Sequence, residues 1–280
     1  MKHSFTTNKN YSKLSECISE QFAFLSLSSI KSQIKQGEVR VGGKVIKQDC
    51  EVEKGQEVKI FLPEKLEEKQ SAVLNIVYKD ENIVVVNKPI LCETETHLTK
   101  MVQAQFPNAA PCHRLDRNTA GLIIFALHIK AKKEIFRLIK TQKIDKFYHA
   151  KVIGKLQKSE DIITVYLKKD TVASKVFVSP TPQDDYLTAT LYYKTLQYNP
   201  DTNDSLLEVK LITGRTHQIR ATFAFLGYPI IGDGKYGLEK ENRLRKVKYQ
   251  NLTATKIHFN FSLSDSKILG YLGGKILIIK

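Results

Sequence analysis

From Leu74 onward the chain is built of short apolar runs of strand length with few helical stretches between them, and this pattern restricts its fold more than any other feature. Strands are expected at Leu74–Tyr78, Ile83–Val86, Gly121–Leu127, Tyr148–Ile153, Ile162–Leu167, Lys175–Val178, Thr188–Leu196, Leu206–Ile212 and Ile276–Ile279. Helices are expected near Leu98–Phe106, over Lys130–Lys140, and on the face formed by Ile219, Phe223 and Leu226, which Gly227 closes. A parallel sheet needs a crossover, usually a helix, between paired strands, and most of these gaps are too short for one. The expectation is therefore an α+β chain with a central mixed, mainly antiparallel sheet.

The first sixty residues read differently. Residues 1–10 are polar and look like a loose tail. Leu14, Cys17, Ile18, Phe22 and Leu25 share one helical face. A second short helix carries Ile30 and Ile34, with Ser28 or Ser29 as its cap and Gly37 at its end. Val39 and Val41 flank Arg40, Gly42-Gly43 makes a two-residue turn, and Lys44-Val45-Ile46 returns as a hairpin. Val58, Ile60 and Leu62 alternate in a further strand. Helix, helix, hairpin and strand make a small α/β domain over residues 1–62. Residues 63–71, PEKLEEKQS, are charged and have one large apolar residue, so they read as a linker. Residues 72–280 form the larger domain.

The formal net charge is +15, and both parts share the excess, with 11 Lys/Arg against 8 Asp/Glu in residues 1–65. A charge of that size points to a polyanion, with nucleic acid as the first candidate. The four cysteines form no C-x-x-C pair and the seven histidines no H-x-x-x-H pair, so no metal is expected. No signal peptide or membrane-length apolar run is visible, and the expected setting is the reducing cytoplasm. Gly232, Gly234 and Gly237 spell G-x-G-x-x-G, but Pro229 interrupts the lead-in and no acid lies near position 257. A nucleotide cofactor is not expected there.

Three segments carry candidate chemistry. In HRLDRNTAGL (His113–Leu122), Asp116 is the lone acid between Arg114 and Arg117, directly before an apolar run. Such a carboxylate is held ionised and suits a nucleophile or a general base, although a turn-capping or ion-paired Asp has the same local pattern. In GRTHQIR (Gly214–Arg220), a strand hands over to a helix, with Arg215 in the turn and Arg220 about one helical turn on. A basic turn that only contacts phosphate fits equally well. In KFYHA, Tyr148 opens a strand and offers either an aromatic face for a base or ordinary core packing.

Taken together, these segments resemble the RluA-type pseudouridine synthases. HRLDRNTAGL is similar to the family's catalytic motif, KFYHAKVIG to its K-x-Y-x-A-x-V-x-G strand, and GRTHQIR with GYPIIGDGKYG to its third signature. Residues 12–60 resemble the S4-like RNA-binding domain that often precedes the catalytic domain. The resemblance implies the pseudouridine synthase fold and the isomerisation of uridine to pseudouridine in structured RNA without metal or cofactor. It implies large-subunit ribosomal RNA as substrate, with transfer RNA or a non-catalytic RNA-binding or ribosome-assembly role as alternatives; nothing in the sequence demands an oligomer, so a monomer is expected. It further implies Asp116 as the essential carboxylate, Arg215 as its partner, Tyr148 stacked on the target base and Leu252 as an apolar wall, while Arg114, Arg117 and Arg220 meet RNA. Two segments depart from the family pattern: Ile90-Leu91-Cys92-Glu93-Thr94 after the NKP, and Thr222 where a His often stands.

Overall fold

The computed structural model describes residues 2–22, 25, 27–62, 74–170 and 174–279. They divide into two compact units, Met1–Leu74 and Asn75–Lys280. The linker expected at 63–71 lies outside the described residues.

The first unit is a four-stranded antiparallel sheet with two helices. Strands β1 (Lys2–Thr6), β2 (Val39–Val41), β3 (Lys44–Ile46) and β4 (Glu57–Phe61) lie in the order β1-β4-β2-β3. Helices α1 (Leu14–Gln21) and α2 (Leu27–Gln36) bury Leu14, Ile18, Ile30 and Ile34 with Val39, Val58 and Ile60. The Gly42-Gly43 turn has φ of +55° and +83°, the conformation a tight two-residue hairpin demands. Three expectations change. Residues 2–6 are a strand rather than a tail, because the backbone pairs along β4 from Lys2↔Phe61 to Thr6↔Glu57, and such pairing leaves no hydrophobic signature. Helix α1 ends at Gln21, with Phe22 and Leu25 still buried beyond it. Helix α2 begins at Leu27, which places Ser28 and Ser29 inside its first turn and not at its cap.

The second unit is an eleven-stranded sheet. Its strands are β5 (Ile76–Lys79), β6 (Ile83–Lys88), β7 (Ala110–Pro111), β8 (Ala120–Ala126), β9 (Ile144–Ile153), β10 (Glu160–Asp170), β11 (Lys175–Ser179), β12 (Leu187–Asn199), β13 (Asp204–Leu211), β14 (Leu252–Phe259) and β15 (Ile276–Ile278). They run in the order β11-β10-β12-β13-β9-β14-β8-β6-β5, with β15 on β14 and β7 on β8. Among the described residues β14 and β8 pair parallel and the other pairs are antiparallel, so the sheet is mixed and mainly antiparallel, as the strand pattern indicated. Strand β14 was not expected as a strand; its polar Thr253, Thr255 and Lys256 hide its alternation.

Helix α3 (Thr99–Gln105) continues from a π-helical turn at Thr94–Leu98. Helix α4 (Ile129–Lys140) starts where the His128 ring accepts the Ala131 N–H at 3.2 Å, and it packs Ala131, Ile135 and Leu138 on Leu122, Ile124, Ile144 and Phe259. Helix α5 (Gln218–Phe225) follows β13, and a short α6 (Glu239–Leu244) lies further on. Among the described residues no helix is long and apolar enough to cross a membrane.

Gly121 explains how β8 and β14 come together. Its φ is +122°, and a Cβ there would sit 2.3 Å from the Ala254 carbonyl oxygen. Only a glycine admits so close a strand. That contact brings the start of β14, with Leu252, beside the loop that ends in β8. Gly232 and Gly237 serve close packing too: a Cβ would lie 2.0 Å from the Tyr249 carbonyl oxygen and 2.3 Å from that of Asp233, respectively.

Candidate active site

Asp116 sits in the loop between β7 and β8, and the loop is fixed from three sides. Thr94 Oγ1 donates to the Leu115 carbonyl at 3.1 Å and accepts its N–H at 3.2 Å. Thr119 N–H closes a turn on the Asp116 carbonyl at 3.0 Å, and the Gln250 side chain holds Thr119 Oγ1 at 2.6 Å. Lys88, at the end of β6, is fully buried and donates from Nζ to the carbonyls of Pro89, Cys92 and Arg117 at 2.9, 2.7 and 3.2 Å. Burial pulls its ammonium down to about 8, against the charges of Cys92 and Asp116. One buried cation thus ties the end of β6 to the residue after Asp116.

The arginine that meets Asp116 is Arg220. Its Nη1 donates to Asp116 Oδ2 at 2.7 Å. Its other edge is held by Asp233, with Nε to Oδ2 at 2.7 Å and Nη2 to Oδ1 at 2.9 Å. Burial works against the charge on Arg220, and the bonds and charges of Asp233 and Asp116 overcome it, holding the guanidinium above its ordinary value. Burial alone would raise the Asp233 carboxyl; Arg220 and the backbone N–H groups of Lys235 and Tyr236 reverse this and hold it below the ordinary range. Asp116 therefore faces a cation that is charged at every working pH.

This corrects two expectations. Arg215 does not pair with Asp116: it is exposed, and its Nε donates to the Thr188 carbonyl at 3.0 Å. Arg220 is not a surface contact for RNA: only 6% of it is exposed, and two carboxylates occupy its guanidinium. The cause lies in the turn before α5. The Gln218 side chain accepts the Arg215 N–H at 2.9 Å and donates to the Thr190 carbonyl at 2.9 Å, and His217 adopts a left-handed φ of +53°. The chain bends there, so Arg215 runs out along β12 while the first turn of α5 carries Arg220 inward.

Around the carboxylate lies a cavity of ≈ 1050 Å³ whose walls include Tyr148, Leu252, His113, Lys146 and Arg215. Tyr148, on β9, is 5% exposed, and burial, aided by the Asp116 charge, pushes its hydroxyl up, so the ring is neutral. Leu252, also 5% exposed, adds an apolar wall. Burial depresses the Lys146 ammonium. His113 accepts the Ile124 N–H on Nε2 at 3.1 Å, and burial, with Lys146 nearby, lowers its imidazole to about 3. Arg114 lies at the cavity's edge, paired with Glu95 at 2.8 Å, while Arg117 is exposed and joins the site through its carbonyl alone.

Sequence reading missed Asp233, Lys88, His217 and Gln218. Asp233 left a signal, the acid between the two glycines of GDG. The position of Lys88, last in a buried strand and ahead of a proline, left another.

Asp116 gripped by a buried arginine, a neutral tyrosine ring and several cations share this cavity, a setting that suits a polyanionic substrate. Comparison with known proteins specifies the kind. Residues 73–225 match the RNA pseudouridylate synthase family. An uncharacterized RNA pseudouridine synthase of Mycoplasma genitalium is 34% identical over 66% of this chain, which spans 63% of that protein's length. The ribosomal large subunit pseudouridine synthase D of Vibrio cholerae is 30% identical over 80% of this chain and 73% of its own. The solved structure of human RNA pseudouridylate synthase domain containing 1 superimposes with a TM-score of 0.59 at 26% identity, covering 66% of this chain and 78% of that one. The chain belongs to the RNA pseudouridine synthase family, and its larger unit has that family's α+β fold.

Proposed function

We propose that this RNA pseudouridine synthase isomerises a uridine in structured large-subunit ribosomal RNA, with Asp116 as the essential carboxylate. The observation that carries the reading is the 2.7 Å ion pair of Asp116 with buried Arg220 inside a cavity of ≈ 1050 Å³. The pair sets a fixed cation beside the carboxylate and aims it into the cavity. A base inside a helix cannot enter such a cavity, so the target is unpaired or flipped out, at a cost of a few kcal/mol that phosphate contacts offset.

The reaction is an isomerisation and leaves the composition of the nucleotide unchanged. The bond from ribose C1′ to uracil N1 breaks, the uracil turns, a bond from C1′ to C5 forms, and the proton on C5 leaves while N1 gains one. Asp116 serves this either by attacking C1′ or by taking a ribose proton, and both roles neutralise it in the intermediate. Tyr148 stacks on the base and Leu252 closes the apolar side, which holds the detached uracil while it turns. The Asp116→Asn variant keeps the shape and loses the charge. It should abolish tritium release from RNA labelled at uracil C5 while leaving RNA affinity within about twofold. Turnover by that variant would refute the role.

The choice of ribosomal RNA is supported by the synthase D relatives of three Vibrio species and Pasteurella multocida, at 29–30% identity. A second reading, transfer RNA, is supported by the tRNA pseudouridine synthase C of Vibrio vulnificus, 32% identical over 63% of this chain. Carbodiimide-dependent reverse-transcription stops mapped in a deletion strain separate the two. We assign residues 1–62 as an S4-like RNA-binding domain on their helix-helix-hairpin order and basic balance. We further read the protein as a monomer acting on RNA in the cytoplasm.

A further inference from the structure

His217 stands between Asp116 and Tyr236, and no step above uses it. Its position is fixed by a chain of contacts that begins on β11. The Val176 N–H donates to the Tyr236 hydroxyl oxygen at 2.8 Å. With the Val176 N–H on its oxygen, the phenol's single proton is available to the other neighbour, His217 Nδ1, at 2.8 Å, and the bond is assigned with Tyr236 as donor and Nδ1 as acceptor. A neutral imidazole that accepts on Nδ1 carries its own proton on Nε2. His217 Nε2 lies 3.8 Å from Asp116 Oδ2, the oxygen that Arg220 holds at 2.7 Å. Among the described residues, Asp116 Oδ1 accepts no side-chain hydrogen bond.

We propose that His217 is a positioning residue for Asp116: its Nε2–H, set by the Tyr236 hydroxyl, steadies Oδ2 beside Arg220 and leaves Oδ1 to face the ribose. The left-handed φ of +53° at His217 fits this role, since a side chain rarely adopts that backbone without cause. A closure of about 1 Å in the RNA-bound enzyme turns the present contact into a hydrogen bond.

The protonation state matters because Asp116 loses its charge as it reacts. A neutral imidazole N–H orients the carboxylate without a second full positive charge beside Arg220. An imidazolium adds that charge, favours the ionised ground state and slows the step. Four charged side chains face the ring: Asp116 from its loop, Arg220 from α5, and Asp233 and Lys235 from the segment after α5. Burial, Arg220 and Lys235 oppose protonation, Asp116 and Asp233 favour it, and the sum holds the imidazole below its ordinary value. The ring is thus neutral at neutral pH and gains its proton as the medium turns acidic.

The role in catalysis rests on the isomerase reading, whereas the tautomer and the coupling to Asp116 do not. Nitrogen-15 NMR of the histidine-labelled full chain, without RNA, should show the Nε2–H tautomer at His217. In Tyr236→Phe that tautomer should become mixed, and in Asp116→Asn the titration should move to lower pH because a neighbouring anion is gone. An Nδ1–H tautomer, or a titration indifferent to Asp116→Asn, would overturn the proposal whatever the enzyme's substrate is. With C5-tritiated large-subunit ribosomal RNA, His217→Ala should lower kcat about tenfold with KM nearly unchanged. His217→Gln, which keeps an N–H at that position, should recover most of the loss and flatten the acid limb of the kcat profile. Wild-type kcat in His217→Ala, or equal losses in Ala and Gln accompanied by equal falls in melting temperature, would overturn it.

Discussion

Asp233 grips one edge of the Arg220 guanidinium through bonds of 2.7 and 2.9 Å and leaves Nη1 as the group that reaches Asp116. The second carboxylate therefore decides where the first finds its cation. Asp233 is itself 1% exposed, and the backbone N–H groups of Lys235 and Tyr236 at 2.8 and 3.1 Å fix its Oδ1. Gly232 and Gly237, where a Cβ would strike the Tyr249 and Asp233 carbonyl oxygens, let that turn pack tightly enough to place it.

Asp233→Ala should cost about 3–5 kcal/mol of stability, because it leaves a buried guanidinium with one partner. Urea denaturation measures this. Activity should fall with it even under conditions where the variant is folded, since Arg220 is no longer aimed. A variant that is less stable yet fully active at low temperature would show that Asp116 needs the charge and not the geometry.

Arg215 and Arg220 should separate cleanly on substitution. Arg220→Lys cannot span two carboxylates with one ammonium, and kcat should fall at least about a hundredfold. Arg215→Ala leaves the Asp116 pair untouched. It should keep kcat within about threefold, raise KM and reduce the slope of log affinity against log salt by about one phosphate contact. Tritium release and filter binding at several salt concentrations give all three numbers. The opposite ranking would return Arg215 to the carboxylate.

The contrast between these two arginines marks where the sequence is legible. Asp116 is visible as the lone acid between two arginines ahead of a buried strand, but a turn-capping or ion-paired Asp shares that pattern, and it is the resemblance of the whole HRLDRNTAGL segment to a family motif that singles it out. Its partner lies 104 positions away in sequence and is selected by a left-handed residue and a glutamine that bonds backbone on two sides, neither of which hydrophobic periodicity reports. The sheet core was legible locally: Gly121–Leu127 and Tyr148–Ile153 are unbroken or alternating apolar runs. Strands β1 and β14 were not, because they are held by backbone pairing and carry polar side chains.

Lys88 gives a dependence on pH. Its ammonium is held near 8 in the folded protein, below the ordinary lysine value. At pH below about 8 it is charged in both states, and folding bears the full cost of burying it. As pH rises from about 8 toward the unfolded value, the folded state sheds its proton first, and this penalty fades. The group thus adds about 3 kcal/mol to stability across that window. Urea denaturation from pH 7 to 10 should show the rise against a Lys88→Met control that lacks it. The same variant should lose activity, since three carbonyls around the Asp116 loop lose their donor. A control with the same slope as the wild type would mean that Lys88 is not the titrating group.

Gly121 tests the contact that assembles the two halves of the sheet around the site. Alanine there meets the Ala254 backbone oxygen at 2.3 Å and the Ala254 nitrogen at 2.5 Å, and backbone of a central strand cannot yield as a flexible side chain would. The variant also has to hold a φ of +122°. Strands β8 and β14 must separate, which moves Thr119 and Leu252 away from Asp116. The expected loss is upwards of about 3 kcal/mol, with activity lost even where the protein remains folded. Gly43→Ala supplies the comparison: its φ is +83°, but nothing lies within 4 Å of the added carbon, so it bears the backbone cost alone, about 1 kcal/mol. Equal destabilisation of the two variants in urea would mean that backbone conformation, and not the approach of β14, is what Gly121 provides.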